Sequence, residues 1–187
     1  MKPVVTREQW LDVGLERFGE QALAGLKVEA MARTLGSSKA GFYWYFKSRA
    51  AFEQALFEHW RAIETKRIIA VAEAAVDPAR KLRALFTEVI HLRGGGDFLF
   101  HLRRLARKRR SLARLLEQTE TERLEYVAGI LEALGKDRKS AHAAAEVIYH
   151  LYLGWYERHR FEPTSKSEAR KQMRVVGVLI EAVHAAA

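Results

Sequence analysis

Residues Gly25–Ala55, GLKVEAMARTLGSSKAGFYWYFKSRAAFEQA, decide how the chain is read. Val28, Met31, Ala32 and Leu35 recur at i, i+3, i+4 and i+7, the spacing of one face of a short helix. Gly36 can take the positive φ that closes it. Ser37 or Ser38 then caps a second short helix ending near Tyr45, and Ser48 caps a third, longer one. Two short helices joined by a tight Gly-Ser turn can lay the second helix in the DNA major groove, which is wide enough to admit it. Ser38, Ala40 and Gly41 put small side chains at the start of that helix, so its backbone can come close to base edges, with Lys39 as a cation beside them. Tyr43, Lys47 and Arg49 offer a hydroxyl and two cations suited to phosphate oxygens. The helix start at Ser48–Ala50 adds backbone N–H donors and a partial positive charge.

Working outward, Thr6 can cap a first helix whose apolar face is Trp10, Leu11, Leu15 and Phe18. Downstream, the long helix that Ser48 starts carries Phe52, Leu56, His59, Trp60 and Ile63 on one side. Asp77-Pro78 breaks the chain and opens the next helix, which runs to about Leu92. Gly94–Gly96 is a further break, and it lacks the strand and the Gly-Lys-Ser/Thr ending of a phosphate loop. Asp97 can cap the next stretch, one short and one long helix dividing near Ser111 and ending at Gly135. A helix over about Asp137–His159 and another over roughly Ser165–Ala186 complete the chain. No stretch shows a convincing period of two, so the expected fold is all-α with about nine helices.

Bulk properties narrow the function. Apolar residues make up 49% of the 187, enough to bury a core, and there are only three prolines. The absence of cysteine excludes a disulfide scaffold, a zinc-thiolate site and an iron–sulfur cluster. Apolar runs are too short to span a bilayer and no secretory signal precedes the first helix, so a cytoplasmic location is expected. The net charge of +9 suggests an anionic partner. Its distribution is uneven: residues 1–50 hold a surplus of +3, whereas residues 80–114 carry eleven basic residues against Glu88 and Asp97. Most of the positive charge therefore lies outside the helix-turn-helix, and charge alone does not argue for DNA.

The run LGSSKAGFYWYFKSRAAF closely resembles the signature of the TetR (tetracycline-repressor) family of transcription regulators, over about 45 N-terminal residues. The resemblance implies a helix-turn-helix DNA-binding domain at 1–50, joined by the long fourth helix to a divergent helical ligand-binding and dimerisation domain at 51–187. Position by position, Ser37, Ser38, Lys39, Ala40 and Gly41 resemble the base-facing stretch, and Tyr43, Lys47 and Arg49 resemble phosphate anchors. Trp44 and Tyr45 stand where the family places residues near the backbone or groove, and Phe42 and Phe46 look like core. Two positions depart from the pattern: Lys27 stands where a Ser or Thr cap is usual, and Glu29 where a basic or polar residue is usual. The implied function is a regulator, in the repressor sense, that binds palindromic operator DNA as a homodimer and is released by a small-molecule effector.

Beyond the motif the readings stay open. His59, Ile63, Phe86, Ile90, Phe98, His101, Tyr126, Tyr149 and Tyr152 can line an effector pocket or simply fill the core. Ala144, Ile148, Tyr152, Met173, Val176, Gly177 and Ile180 form apolar stripes on the last two helices that can serve as a dimer seam. His142, Glu146 and His150 share a helix face at metal-ligand spacing, but no second helix offers an identified ligand, so no metal and no cofactor is expected. There is no nucleophile–base pair, no paired catalytic carboxylates and no cofactor loop, so an enzyme is not expected. The basic tract His101–Arg114, HLRRLARKRRSLAR, reads as a solvated helix face, a rim beside a ligand pocket, or an auxiliary phosphate contact. A helical module binding acidic partners or membrane through that tract is the alternative function.

Overall fold

The computed structural model describes residues 5–91, 97–159 and 165–185 of the chain. Every regular element among them is helical: α1 (Arg7–Gln21), a 3₁₀ turn (Ala22–Gly25), α2 (Val28–Thr34), α3 (Lys39–Phe46), α4 (Arg49–Arg61), α5 (Ile68–Glu73), α6 (Pro78–His91), α7 (Phe98–Ala106), α8 (Arg110–Ala133), α9 (Arg138–His159) and α10 (Lys166–Ala185). A π-helical segment, Ala62–Arg67, joins α4 to α5 without a break, so the described chain forms nine separate rods.

Helix starts reflect local chemistry. Thr6 and Gln9 form a reciprocal capping box at α1, and Ser38 and Ser48 accept from Gly41 N and Ala51 N at α3 and α4. Asp77, Asp137 and Ser165 do the same for α6, α9 and α10. Lys27 offers no side-chain cap to α2, as its chemistry requires. Asp97 stands at the N-cap of α7, but its side chain does not cap the helix. The division expected near Ser111 falls earlier, at Arg107–Arg109, and Ser111 lies in the first turn of α8. Successive cations three and four apart repel along a helix, which favours ending α7 there. The Gly94–Gly96 break and the far end of the last expected helix, at Ala186, lie outside the described residues.

The chain divides into two compact units, residues 1–63 with 95–113, and residues 64–94 with 114–187. The first is built on aromatic packing. Trp10, Phe18, Phe42 and Phe52 are fully buried. Phe42 lies 5.4 Å from Trp10 and 5.0 Å from Phe52, edge to face. Gly14 is required where α1 crosses α4, since a Cβ there would sit 2.7 Å from Phe52 Cζ. α7 returns to the same core: Phe98 packs 4.6 Å from Phe18 and stacks on Trp60, and Asp97 N donates to Gly19 O at 2.8 Å.

The second unit buries Leu82, Val127, Ile130, Leu131, Ala141, Ala145, Ile148 and Val176 in one cluster. Ala141 and Ala145, small residues of α9, are fully buried in it. α10 packs against α6, where Thr87 Oγ1 lies 3.7 Å from Met173 Sδ.

Candidate DNA-binding surface

The helix-turn-helix is held from beneath. Phe42 and Phe46 anchor α3 in the aromatic core, and Val28, Met31 and Ala32 anchor α2. Helical periodicity then turns the other face of α3 outward. Ser38, Lys39, Ala40, Tyr43 and Trp44 are exposed, Trp44 to 69% and Tyr43 to 46%. Ser37 and Gly41 are half-buried in the turn, which Gly36 closes at φ +61°.

The remaining predicted residues divide between anchoring and display. Tyr45 Oη donates to Val5 O at 3.0 Å, so its hydroxyl ties the segment before α1 to α3. Arg49 donates to Leu23 O at 3.0 Å and lies 3.5 Å from Glu53, so it braces the start of α4 against the 3₁₀ turn. Lys47 is exposed and closes α3 at φ +59°, a left-handed conformation unusual for a residue other than glycine. A glycine would serve the turn with less strain, so retaining lysine keeps a cation at the α3–α4 junction.

Two contacts were not legible in the sequence. Lys39 Nζ lies 2.6 Å from Glu29 Oε1, across from α3 to α2, with both groups largely exposed. Hydrogen bonding to Lys39 holds the Glu29 carboxyl below its ordinary range, and the same bond raises the Lys39 ammonium. Sequence marks Glu29 as out of place but cannot show its partner. The second is Arg109, whose Nη1 lies 2.8 Å from Glu53 Oε2.

A cavity opens within the second unit. Its wall comprises Glu64 and Thr65 of the π segment, Ile68 and Ile69 of α5, Leu85, Phe86 and Val89 of α6, Arg123, Leu124, Tyr126 and Val127 of α8, and Ile148, Tyr149 and Tyr152 of α9. Phe86, Tyr126, Tyr149 and Tyr152 are therefore brought together, whereas Ile90 lines a second cavity between α6, α9 and α10. His59, Ile63, Phe98 and His101 belong to the first unit and line neither cavity. His59 pairs with Asp12, and Phe98 and His101 pack on Phe18. Helical spacing shows that these side chains face inward but not which core they enter.

Glu64, Thr65 and Arg123 had no sequence signal. Arg123 Nε donates to the buried Thr65 Oγ1 at 3.0 Å, and its Nη2 donates to the Glu64 carbonyl at 3.1 Å. A π segment leaves backbone carbonyls without their usual helical donors, and Arg123 supplies one. Burial pushes the Glu64 carboxyl up, opposed by Arg123 and Arg67. Tyr126 Oη donates to Glu73 at 2.7 Å, and burial with that bond raises its phenol well above the ordinary value.

Of the predicted seam residues, Ile148 and Val176 are buried in their own unit, Ala144, Tyr152, Met173 and Gly177 are half-buried, and the side chain of Ile180 lies outside the described residues. Among the described side chains, Val147, Leu151, Val175 and Val178 are the exposed large apolar residues of these two helices. His142 lies 3.7 Å from Glu125 on α8, and no cluster of three metal-ligating side chains occurs among the described residues. Among the same residues no helix is long and apolar enough to cross a membrane.

A three-helix aromatic unit that displays one face of its third helix defines a helix-turn-helix DNA-binding protein. Residues 11–61 match the family of bacterial regulatory proteins described as the tetR family, so it is this N-terminal segment that resembles the family's transcription regulators. The fold is shared along nearly the whole chain. A TetR transcriptional regulator from Legionella pneumophila is 17% identical with a TM-score of 0.74, covering 96% of this chain and 99% of that one. A TetR-family regulator from Streptomyces coelicolor is 14% identical with a TM-score of 0.77, over 95% and 89%. A transcriptional regulator from Rhodococcus sp. Rha1 is 15% identical with a TM-score of 0.73, over 95% and 97%. Comparison with curated protein sequences finds no match.

Proposed function

We propose that the protein is a ligand-responsive repressor that binds palindromic operator DNA as a homodimer and releases it when a small molecule occupies the second unit. The observation that carries this reading is the outward face of α3, with Ser38, Lys39, Tyr43 and Trp44 exposed above a rigid core. Ser38, Lys39, Ala40 and Gly41 read base edges, while Tyr43, Lys47 and the start of α4 hold phosphates. Arg49 acts from its braced position at that helix start.

A single short helix reads few base pairs, so two copies on a two-fold axis are needed to reach useful affinity. Val147 and Leu151 on α9, with Val175 and Val178 on α10, supply the seam: they repeat at helical spacing and remain exposed in one chain. The cavity walled by Phe86, Tyr126, Tyr149 and Tyr152 takes the effector, which releases DNA by favouring a conformation whose recognition helices no longer match the half-sites.

The test is duplex selection from a random pool, followed by gel shift across a salt titration. One palindromic sequence bound far above the pool at near-physiological salt is expected. Weak binding with no sequence preference would overturn the reading. Tyr43→Phe should weaken selected and unselected duplexes alike, by about 0.5–1.5 kcal/mol per lost hydrogen bond.

A further inference from the structure

The basic tract does not stand apart from the DNA-binding unit. α7 and the turn after it, through Ala113, belong to the compact unit that holds α1–α4. No acidic residue occurs between Phe98 and Leu116. Leu99, Leu102 and Leu112 are buried, while Arg107, Lys108 and Arg110 are exposed and pair with no acid among the described residues. Arg109, between them, is tethered. Its guanidinium lies 2.8 Å from one oxygen of Glu53, whose other oxygen is 3.5 Å from Arg49. Glu53 is mostly buried, with a side chain 15% exposed, so this shared carboxylate is a fixed point. It holds the turn Arg107–Arg110 beside the first two turns of α4, next to the junction where Lys47, Ser48 and Arg49 stand.

We infer that Arg107, Lys108 and Arg110 form a second phosphate-binding patch, which extends the DNA footprint beyond the helix-turn-helix without reading sequence. This rests on the DNA-binding reading above and adds a contact surface to it. Guanidinium groups match phosphate oxygens in a fork, and cations within a Debye length of about 8–10 Å add attraction even short of contact. Duplex DNA fits the patch better than a membrane does. A helix lying in a lipid surface inserts an apolar face, and here Leu99, Leu102 and Leu112 are already committed to the protein core.

The test compares the full chain with a triple variant, Arg107→Gln, Lys108→Gln and Arg110→Gln, on the selected duplex and on the random pool. Anisotropy is followed between about 50 and 200 mM salt. The triple variant should lose up to about 2.7 units of salt slope per protomer, at roughly 0.9 per phosphate contact, and bind both DNAs at least about tenfold more weakly with preference unchanged. A charge-keeping variant, Arg107→Lys with Arg110→Lys, should keep the slope. Unchanged slope and affinity in the triple variant, with the parent chain binding DNA, overturns the inference alone. Failure of the parent chain to bind any duplex overturns the inference together with the reading beneath it. Tract-dependent binding to phosphatidylserine vesicles with an unaltered DNA slope overturns it in favour of a lipid surface.

Discussion

Replacing Arg123 with methionine should loosen the second unit more than any ordinary surface change. The guanidinium makes two hydrogen bonds into the π segment, to Thr65 Oγ1 at 3.0 Å and to the Glu64 carbonyl at 3.1 Å. Thr65 is only 2% exposed, so its hydroxyl cannot turn to water when the donor goes. Each acceptor left unsatisfied in such a place costs about 1–3 kcal/mol. Methionine preserves most of the stem, so little packing is lost. With partial relaxation the expected loss is about 2–4 kcal/mol, or roughly 4–16 °C in Tm for a chain of this size. Calorimetry on the parent chain, Arg123→Met, Thr65→Val and the double variant reads it directly. The two single changes should be non-additive by at least about 0.5 kcal/mol, since each removes the same bond. A Tm for Arg123→Met within about a degree of the parent, or strict additivity in the cycle, would refute the assignment of Arg123 as the brace of the π segment.

Other contacts lead to three further outcomes. Burial raises the Glu64 carboxyl above its ordinary 4.5, so the folded state holds that proton more tightly than the unfolded chain. Its contribution is complete below that value and fades as pH rises through the folded one. Glu64→Gln should therefore flatten the decline in urea midpoint as pH rises above 4.5, and a decline equal to the parent's would refute the burial argument. Leu151→Glu should give a monomer by light scattering, weakening association at least about 100-fold, because symmetry buries two unpaired carboxylates in the apolar seam. A dimeric mass at micromolar concentration would place the seam elsewhere. Glu29→Gln frees Lys39 from its ion pair. The selected duplex should then gain over the random pool by up to about 1–3 kcal/mol, the discrimination of one base-edge contact. An unchanged preference would mean that Lys39 does not reach a base edge.

Local chemistry was legible because it is decided within a few residues. Capping by Thr6, Ser38 and Ser48 and the stop at Gly36 depend on groups three or four positions apart. The display of α3 was legible for the same reason, since Phe42 and Phe46 fix which side of an eight-residue helix faces inward. The boundary between α7 and α8 lies a few residues from its expected place because no glycine, proline or capping side chain marks it.

The amino-acid order by itself determined an all-helical chain, the position of its helix-turn-helix and the face that unit turns outward. Periodicity and caps are short-range properties, and a sufficient apolar stripe has only one way to be buried. Which core each stripe enters was decided only by the tertiary structure. Phe98 joins Phe18 and Trp60, Arg109 reaches Glu53, and Arg123 reaches Thr65, across separations of 38 to 80 residues along the chain. A 3.6-residue repeat states that a side chain faces inward but carries no address for its partner. That address is set when rods pack, and with it come the shared carboxylate beneath the basic turn and the aromatic cavity of the second unit.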